Sequence, residues 1–141
     1  MTKNNIYNQI MKLDISSTSQ IEYVWIGGHE EMRSKSKTLN IKLSKEVQLD
    51  DIPIWNYDGS STEQATGKHS EVYLVPRKLY KDPFRPGNNY LVICDTWRSD
   101  FETPHPTNTR IASSKIFEKA VDTDPWFGFE MEFFMIDKNT G

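Results

Sequence analysis

Trp126-Phe127-Gly128-Phe129-Glu130-Met131-Glu132-Phe133-Phe134-Met135-Ile136 is the stretch around which this chain is read. Phe129, Met131 and Phe133 alternate with Glu130 and Glu132, and that period of two, with its β-favouring aromatics, predicts a strand. Successive side chains of a strand leave from opposite faces, so both carboxylates emerge on one side, roughly 6–7 Å apart at a rise of about 3.3 Å per residue. Such a pattern has two meanings. An amphipathic strand turns its glutamates to water. A pair of carboxylates at this spacing also suits two hard cations around a phosphate, as nucleotide-dependent transfer enzymes use them.

Working outward, Ile111, Ala112, Ile116, Phe117, Ala120 and Val121 recur at helical spacing. Thr107 or Asn108 is the expected cap and Asp122-Thr123-Asp124-Pro125 the stop, so a helix with a buried apolar stripe leads into the strand. Residues 98–106 hold two prolines and alternating charge; they read as a connector, and the domain boundary is placed there.

Upstream the character is β. Ile21-Glu22-Tyr23-Val24-Trp25-Ile26 reads as a strand and Gly27-Gly28 as a tight turn, with the chain returning through residues 30–32. Arg33, Lys35 and Lys37 alternate on the return arm, either as a solvated or interface face that blunts an exposed edge or as a grip for phosphates. Residues 41–49 are of undecided type. Trp55-Asn56-Tyr57-Asp58-Gly59-Ser60-Ser61-Thr62 has turn chemistry: Gly59 is free to adopt a left-handed conformation and Asp58 to bond its own backbone. It is read as a surface turn anchored by Trp55 and Tyr57, or as a loop carrying an acid to a site. Residues 63–70 are polar and expected to be mobile; residues 71–75 form a strand stopped by Pro76, and residues 90–96 the most apolar strand. Ile6, Tyr7, Ile10, Met11 and Leu13 suggest a short amphipathic helix or a frayed tail over residues 1–20.

Composition narrows the classes. The 141 residues suffice for one domain with a core and part of a second. Four Trp, six Tyr and seven Phe supply core volume although hydrophobic residues make up only 36%. A net charge of −3 gives no bulk attraction for nucleic acid or membrane. Cys94 has no partner for a disulfide and reads as a buried small hydrophobe; with His29, His69 and His105 scattered, it assembles no zinc site. Since no apolar run reaches the length of a signal or membrane segment, a soluble, cytoplasmic chain is expected.

Several of these stretches stand together in register. The Trp55 to Thr62 stretch, Asp82-Pro83-Phe84-Arg85, Thr107-Asn108-Thr109-Arg110 and Pro125-Trp126-Phe127-Gly128-Phe129-Glu130-Met131-Glu132 appear in the order found in type II (eukaryotic-type) glutamine synthetase, and the opening hairpin with Arg33-Ser34-Lys35 also resembles that family's. The resemblance runs from about Ile21 to Ile136. It implies an α+β chain: an amino-terminal tail over 1–20, a β-grasp domain over 21–104, and over 105–141 the first helix and strand of a catalytic domain, truncated there.

The family joins ammonia to glutamate with ATP through γ-glutamyl phosphate. By position Glu130 resembles the ligand of the metal, Mg²⁺ or Mn²⁺, that holds the ATP phosphates, and Glu132 a ligand of the second metal. Trp126 stands where an aromatic lies near the nucleotide. Asp58 resembles the acid lent to a neighbouring subunit's site in a homo-oligomeric ring, where it favours binding and deprotonation of ammonium, with Ser61 supporting its loop. Met131 replaces a usual glutamine and Phe133 a usual tyrosine; both face away from the carboxylates, so altered packing is expected rather than lost metal binding. Because hard cations want about six oxygen ligands and the later ligands are missing, the chain alone is expected to be inactive. The alternative is a non-catalytic β-grasp module that joins a full-length ring. In either case Phe129, Phe133 and the helix stripe are expected to lack a covering sheet.

Overall fold

The computed structural model describes residues 3–10, 12, 18–41 and 46–140. Met11 and Leu13 of the expected amino-terminal helix lie outside the described residues, as do residues 14–17 and 42–45. Two compact units result, Met1–Ile111 and Ala112–Gly141.

In the first unit a helix, α1 (Lys3–Ile10), precedes five strands: β1 (Ser19–Ile26), β2 (Met32–Leu39), β3 (Trp55–Asp58), β4 (Glu71–Lys81) and β5 (Tyr90–Trp97). They form one sheet in the order β2-β1-β5-β4-β3. The central pair β1 and β5 is parallel and every other pairing antiparallel. The sheet is strongly curled, because its two edge strands meet across it. Lys35 on β2 donates from Nζ to the Asn56 carbonyl of β3 at 2.9 Å, and the same ammonium lies 3.5 Å above the Trp55 ring.

The core fills the concave side. Ile21, Tyr23 and Trp25 alternate inward on β1, Val72 and Leu74 on β4, and Tyr90, Val92 and Cys94 on β5. Each such fully buried side chain contributes about 1.5–3 kcal/mol. Val47 and Ile52 seal the cluster from the connector before β3, with Leu39, Ile41 and Leu49 at its margin. The Tyr23 hydroxyl donates to the Pro53 carbonyl at 2.7 Å, which satisfies the one polar atom of that buried ring. Two aromatic contacts tie β1 to β3: Tyr23 meets Trp55 edge-on at 5.3 Å, and Trp25 lies 4.6 Å from Tyr57.

The structure corrects several local expectations. The first hairpin turns through residues 27–31, with Gly27 N donating to the Glu31 carbonyl, rather than in two glycines. Arg33, Lys35 and Lys37 do share a face, but it is the inward one, where Trp55 offers a ring face to two ammonium groups. Charges turned inward on an edge strand also discourage edge-to-edge pairing. The Trp55 stretch is a strand before it is a turn, since residues 55–58 pair with residues 71–74. Pro76 does not stop β4. A register shift between Pro76 and Lys78 absorbs the missing N–H and makes Arg77 the extra residue, which pairs with buried Asp95 at 2.5 Å.

The second unit differs most. The helix α2 (Thr109–Lys119), which crosses the division between units, forms as expected, followed by a single 3₁₀ turn over Val121–Thr123. Its apolar stripe is not buried: Ile116 is 65% and Val121 73% exposed. Residues 124–136 form no strand. Among the described residues of this unit there is a helix, a 3₁₀ turn and this segment, and no second extended stretch to accept its backbone hydrogen bonds. A lone strand leaves every N–H and C=O unpaired, so the alternation has no ladder to join. Phe129 is accordingly 94% and Met131 90% exposed.

Candidate functional site

The predicted site residues fall in both units. Asp58 closes β3 in the first; Trp126, Glu130 and Glu132 lie in the second. Among the described residues, Asp58 is the predicted one with an ordered polar surrounding. Its carboxylate caps the 3₁₀ turn Gly59–Thr62, accepting from Ser60 N at 2.9 Å. The Ser60 hydroxyl and N–H hold this exposed carboxyl below the usual aspartate range, so it is ionised at neutral pH. Ser61 donates from Oγ to the Asp58 carbonyl at 3.2 Å, and Thr62 from Oγ1 to the Gly59 carbonyl at 3.1 Å. The loop is therefore stitched within itself.

Gly59 does not use a left-handed conformation; that φ belongs to Glu63, at 56°. The glycine is required by space instead. A Cβ there would lie 2.5 Å from Val72 Cγ2 and 3.0 Å from Ala65 Cβ. Gly28 of the first hairpin is equally constrained, for a Cβ on it would collide with the Thr62 carbonyl. The hairpin turn thus packs directly on the loop, and His29 Nε2 lies 3.2 Å from Glu63 Oε2.

Residues 63–70 are not simply polar and mobile, because Gln64 is buried at 6% exposure. Its Oε1 accepts from the Tyr57 hydroxyl, and its Nε2 donates to the Ile26 carbonyl at 3.1 Å and to Thr107 Oγ1 at 3.3 Å. His105, also buried, holds the Gln64 carbonyl at 2.9 Å through Nε2. Its Nδ1 accepts from Thr107 N at 3.2 Å, so the proton sits on Nε2. Burial, with Arg98 nearby, pushes the imidazole's pKa down despite the bond to the Gln64 carbonyl, and the ring is neutral. His105, read from sequence as connector, and Thr107, read as a helix cap, thus form the back wall of the Asp58 loop. Nothing in the sequence pattern marks Gln64 or His105 as buried, because the bonds that hold them in the interior include partners 38 to 43 residues away.

Beside the loop opens a cleft of about 450 Å³, lined by Glu63, Gln64, Ala65, Thr66, His69, Glu71, Val72, Arg98 and Ser99. Its walls carry both signs of charge. A second tight loop lies at residues 82–89, where buried Asp82 accepts from Phe84 N at 2.8 Å and Arg85 N at 3.1 Å. The Arg85 guanidinium bridges Asp82 at 2.7 Å and Glu22 at 2.5 Å.

In the second unit the chemistry is present without an enclosure. Trp126 is 90% exposed and donates from Nε1 to Asp124 at 3.2 Å. Glu130 and Glu132 are exposed carboxylates, and no group of three or more His, Cys, Asp or Glu that would hold a metal ion occurs among the described residues. Two carboxylates have the hard oxygen donors that Mg²⁺ or Mn²⁺ prefers, but fall short of about six ligands.

Residues 17–99, which span all five strands and the Asp58 loop, match the family described as glutamine synthetase, beta-Grasp domain. The chain belongs to the glutamine synthetase family. A putative glutamine synthetase of Acanthamoeba polyphaga mimivirus is 50% identical over 126 residues, covering 89% of this chain and 35% of the relative. The cytosolic isozyme of Chlamydomonas reinhardtii is 48% identical over 129 residues, or 84% of this chain and 33% of the relative. Glutamine synthetase of Kluyveromyces lactis is 41% identical over 136 residues, 96% of this chain and 36% of the relative. The chain spans about a third of the length of the curated relatives it matches. The expected β-grasp fold is the curled five-stranded sheet seen here. Among the described residues no helix is long and apolar enough to cross a membrane.

Proposed function

We propose that these residues supply the ammonium-handling acid of a glutamine synthetase, and that Asp58 carries this role. The observation that supports it is a carboxylate held ionised at the tip of a rigid, internally bonded loop, within the region that matches the family. An ionised, exposed aspartate attracts ammonium and then accepts a proton as the amine nucleophile forms. In this reading the acid serves the site of a neighbouring subunit in a homo-oligomeric ring, and glutamate, ammonium and ATP are the substrates. Residues 21–104 are the β-grasp domain and residues 105–141 open the catalytic domain. There Glu130 and Glu132 are carboxylate donors for Mg²⁺ or Mn²⁺ and Trp126 flanks the nucleotide; their remaining partners come from outside these 141 residues. By themselves these residues therefore form no glutamine. The cytoplasm is the proposed compartment, in line with the cytosolic isozymes among the relatives.

The test is a chimera in which this chain replaces the matching third of the Chlamydomonas cytosolic isozyme. Asp58→Asn is expected to lower kcat/KM for ammonium by at least about 100-fold, the low end of general acid–base effects, with ATP binding unchanged. Unaltered ammonium kinetics in a folded, ATP-binding variant overturns the assignment.

A further inference from the structure

We propose that Gln64 is the positioning residue of the Asp58 loop: its side chain and backbone together fix the segments on both sides of the acid. This rests on the reading of Asp58 given above and names what aims it.

Three observations carry the inference. Gln64 holds both flanks of Asp58. It grips Tyr57, the residue before the acid, by accepting from the phenol, and Gly59, the residue after it, by donating from its backbone N to the Gly59 carbonyl at 2.9 Å. Second, the amide is fully used. Oε1 serves Tyr57 while Nε2 divides its two protons between the Ile26 carbonyl and Thr107 Oγ1, so one side chain joins β3 to the end of β1 and to the segment before α2. A residue that merely plugged a gap would need no such complement, and a buried amide missing one partner is costly. Third, the burial is imposed by the backbone. Glu63, in the left-handed region at φ 56°, ends the 3₁₀ turn, and Gln64 follows it into the interior, where the His105 imidazole takes its carbonyl at 2.9 Å. Aspartate on an exposed turn ordinarily samples several rotamers. Here the N–H it accepts from, Ser60, belongs to a turn whose start and exit are both anchored through Gln64, so that backbone donor is held in place.

The experiment uses the 141-residue chain and reads the loop by NMR, without catalysis. Gln64→Met keeps the length and bulk of the side chain and removes all three amide bonds. Amide exchange at Ser60 is expected to accelerate at least tenfold and the Asp58 carboxyl titration to move up toward the ordinary aspartate value, while amides of Tyr23 and Val92 in the central strands keep their protection. Tyr57→Phe, which deletes one hydroxyl and keeps the ring on Trp25, is expected to shift both loop readouts in the same direction by less; it serves alone if Gln64→Met does not fold. Unchanged Ser60 exchange and an unchanged Asp58 titration in either folded variant overturn the inference. Loss of protection spread evenly over the loop and the central strands also overturns it, because Gln64 would then be a general stabiliser. Neither readout depends on what Asp58→Asn does to ammonium use, so positioning and role in catalysis fail or stand separately.

Discussion

Replacing Gly59 by alanine tests why a glycine follows the acid. Its φ lies outside the left-handed region, so alanine meets no backbone penalty there. The conflict is one of volume. The new methyl would sit 2.5 Å from Val72 Cγ2, against the roughly 3.5–4.0 Å of a relaxed carbon–carbon contact. Val72 is fully buried and unable to swing away, and Ala65 Cβ blocks the other side at 3.0 Å. Overpacking of this kind costs about 1–3 kcal/mol, and the depth of overlap places Gly59→Ala near ~2 kcal/mol. Val72→Ala alone removes two buried methyls, costing about 2–3 kcal/mol at ~0.8 per carbon plus the cavity. If the two side chains compete for the same space, the double variant costs well under the sum, with a coupling of about 1–2 kcal/mol in its favour. Urea unfolding followed by tryptophan fluorescence resolves this, since Trp25 is 5% exposed while Trp126, at 90%, already emits as a solvated ring. With a slope of about 1–3 kcal/mol per molar, ~2 kcal/mol moves the midpoint by about 1 M. Gly67→Ala is the control: its φ is +66° with open space around it, so it carries about 1–2 kcal/mol of strain and no coupling to Val72. Additive costs for Gly59→Ala and Val72→Ala, within about 0.3 kcal/mol, would refute the steric account.

Three further outcomes are expected. The Ser34 hydroxyl and the Arg85 guanidinium keep the Glu22 carboxyl below its ordinary 4.5, and at Asp82 burial is outweighed by the N–H groups of Phe84 and Arg85 and by the guanidinium, holding it below 3.8. Their contribution is therefore complete above those values and lost as pH falls through the lower folded ones, and Arg85→Ala should flatten the acid limb of a plot of unfolding midpoint against pH. His105 behaves likewise at milder pH: burial depresses its pKa, so the stability of its neutral form is present above 6.5 and lost as pH falls through the folded value, when a proton on Nδ1 displaces the bond from Thr107 N. Between about pH 7.5 and about pH 5 the wild type should lose more midpoint than His105→Asn. Lys35→Met retains the stem over Trp55 but loses the ammonium at 3.5 Å and its bond to Asn56, and should cost about 1 kcal/mol by the same unfolding assay; Lys37→Met, whose ammonium lies 5.0 Å away, should cost less.

The strands of the first unit were readable where burial alternates with the residue, as at Ile21, Tyr23 and Trp25, or runs nearly unbroken, as in β5. Period two says that a face exists, however, and not which face is inside. On β2 the charged residues are the inward set, because the surface they meet is an indole ring contributed by the opposite edge of the sheet. The partner of Pro76 is equally invisible: a proline ends a strand unless the register slips, and the slip is a property of β4 and β5 together.

The same distinction divides the residues of the candidate site. Asp58 was legible because its bond to Ser60 spans two residues, and local chemistry of that kind is written in adjacent letters. Gln64 and His105 were not, since a buried glutamine and a mobile one have identical neighbours in sequence and differ only in whether distant carbonyls and hydroxyls arrive to meet them. Glu130 and Glu132 show the converse. Their alternation predicts a strand at residues 128–134 that the structure does not form, because a strand is a relation between two segments and no partner strand occurs among the described residues of the second unit. The pattern is therefore a requirement for a partner sheet, and the exposed rings of Phe129 and Phe133 are the measure of that requirement.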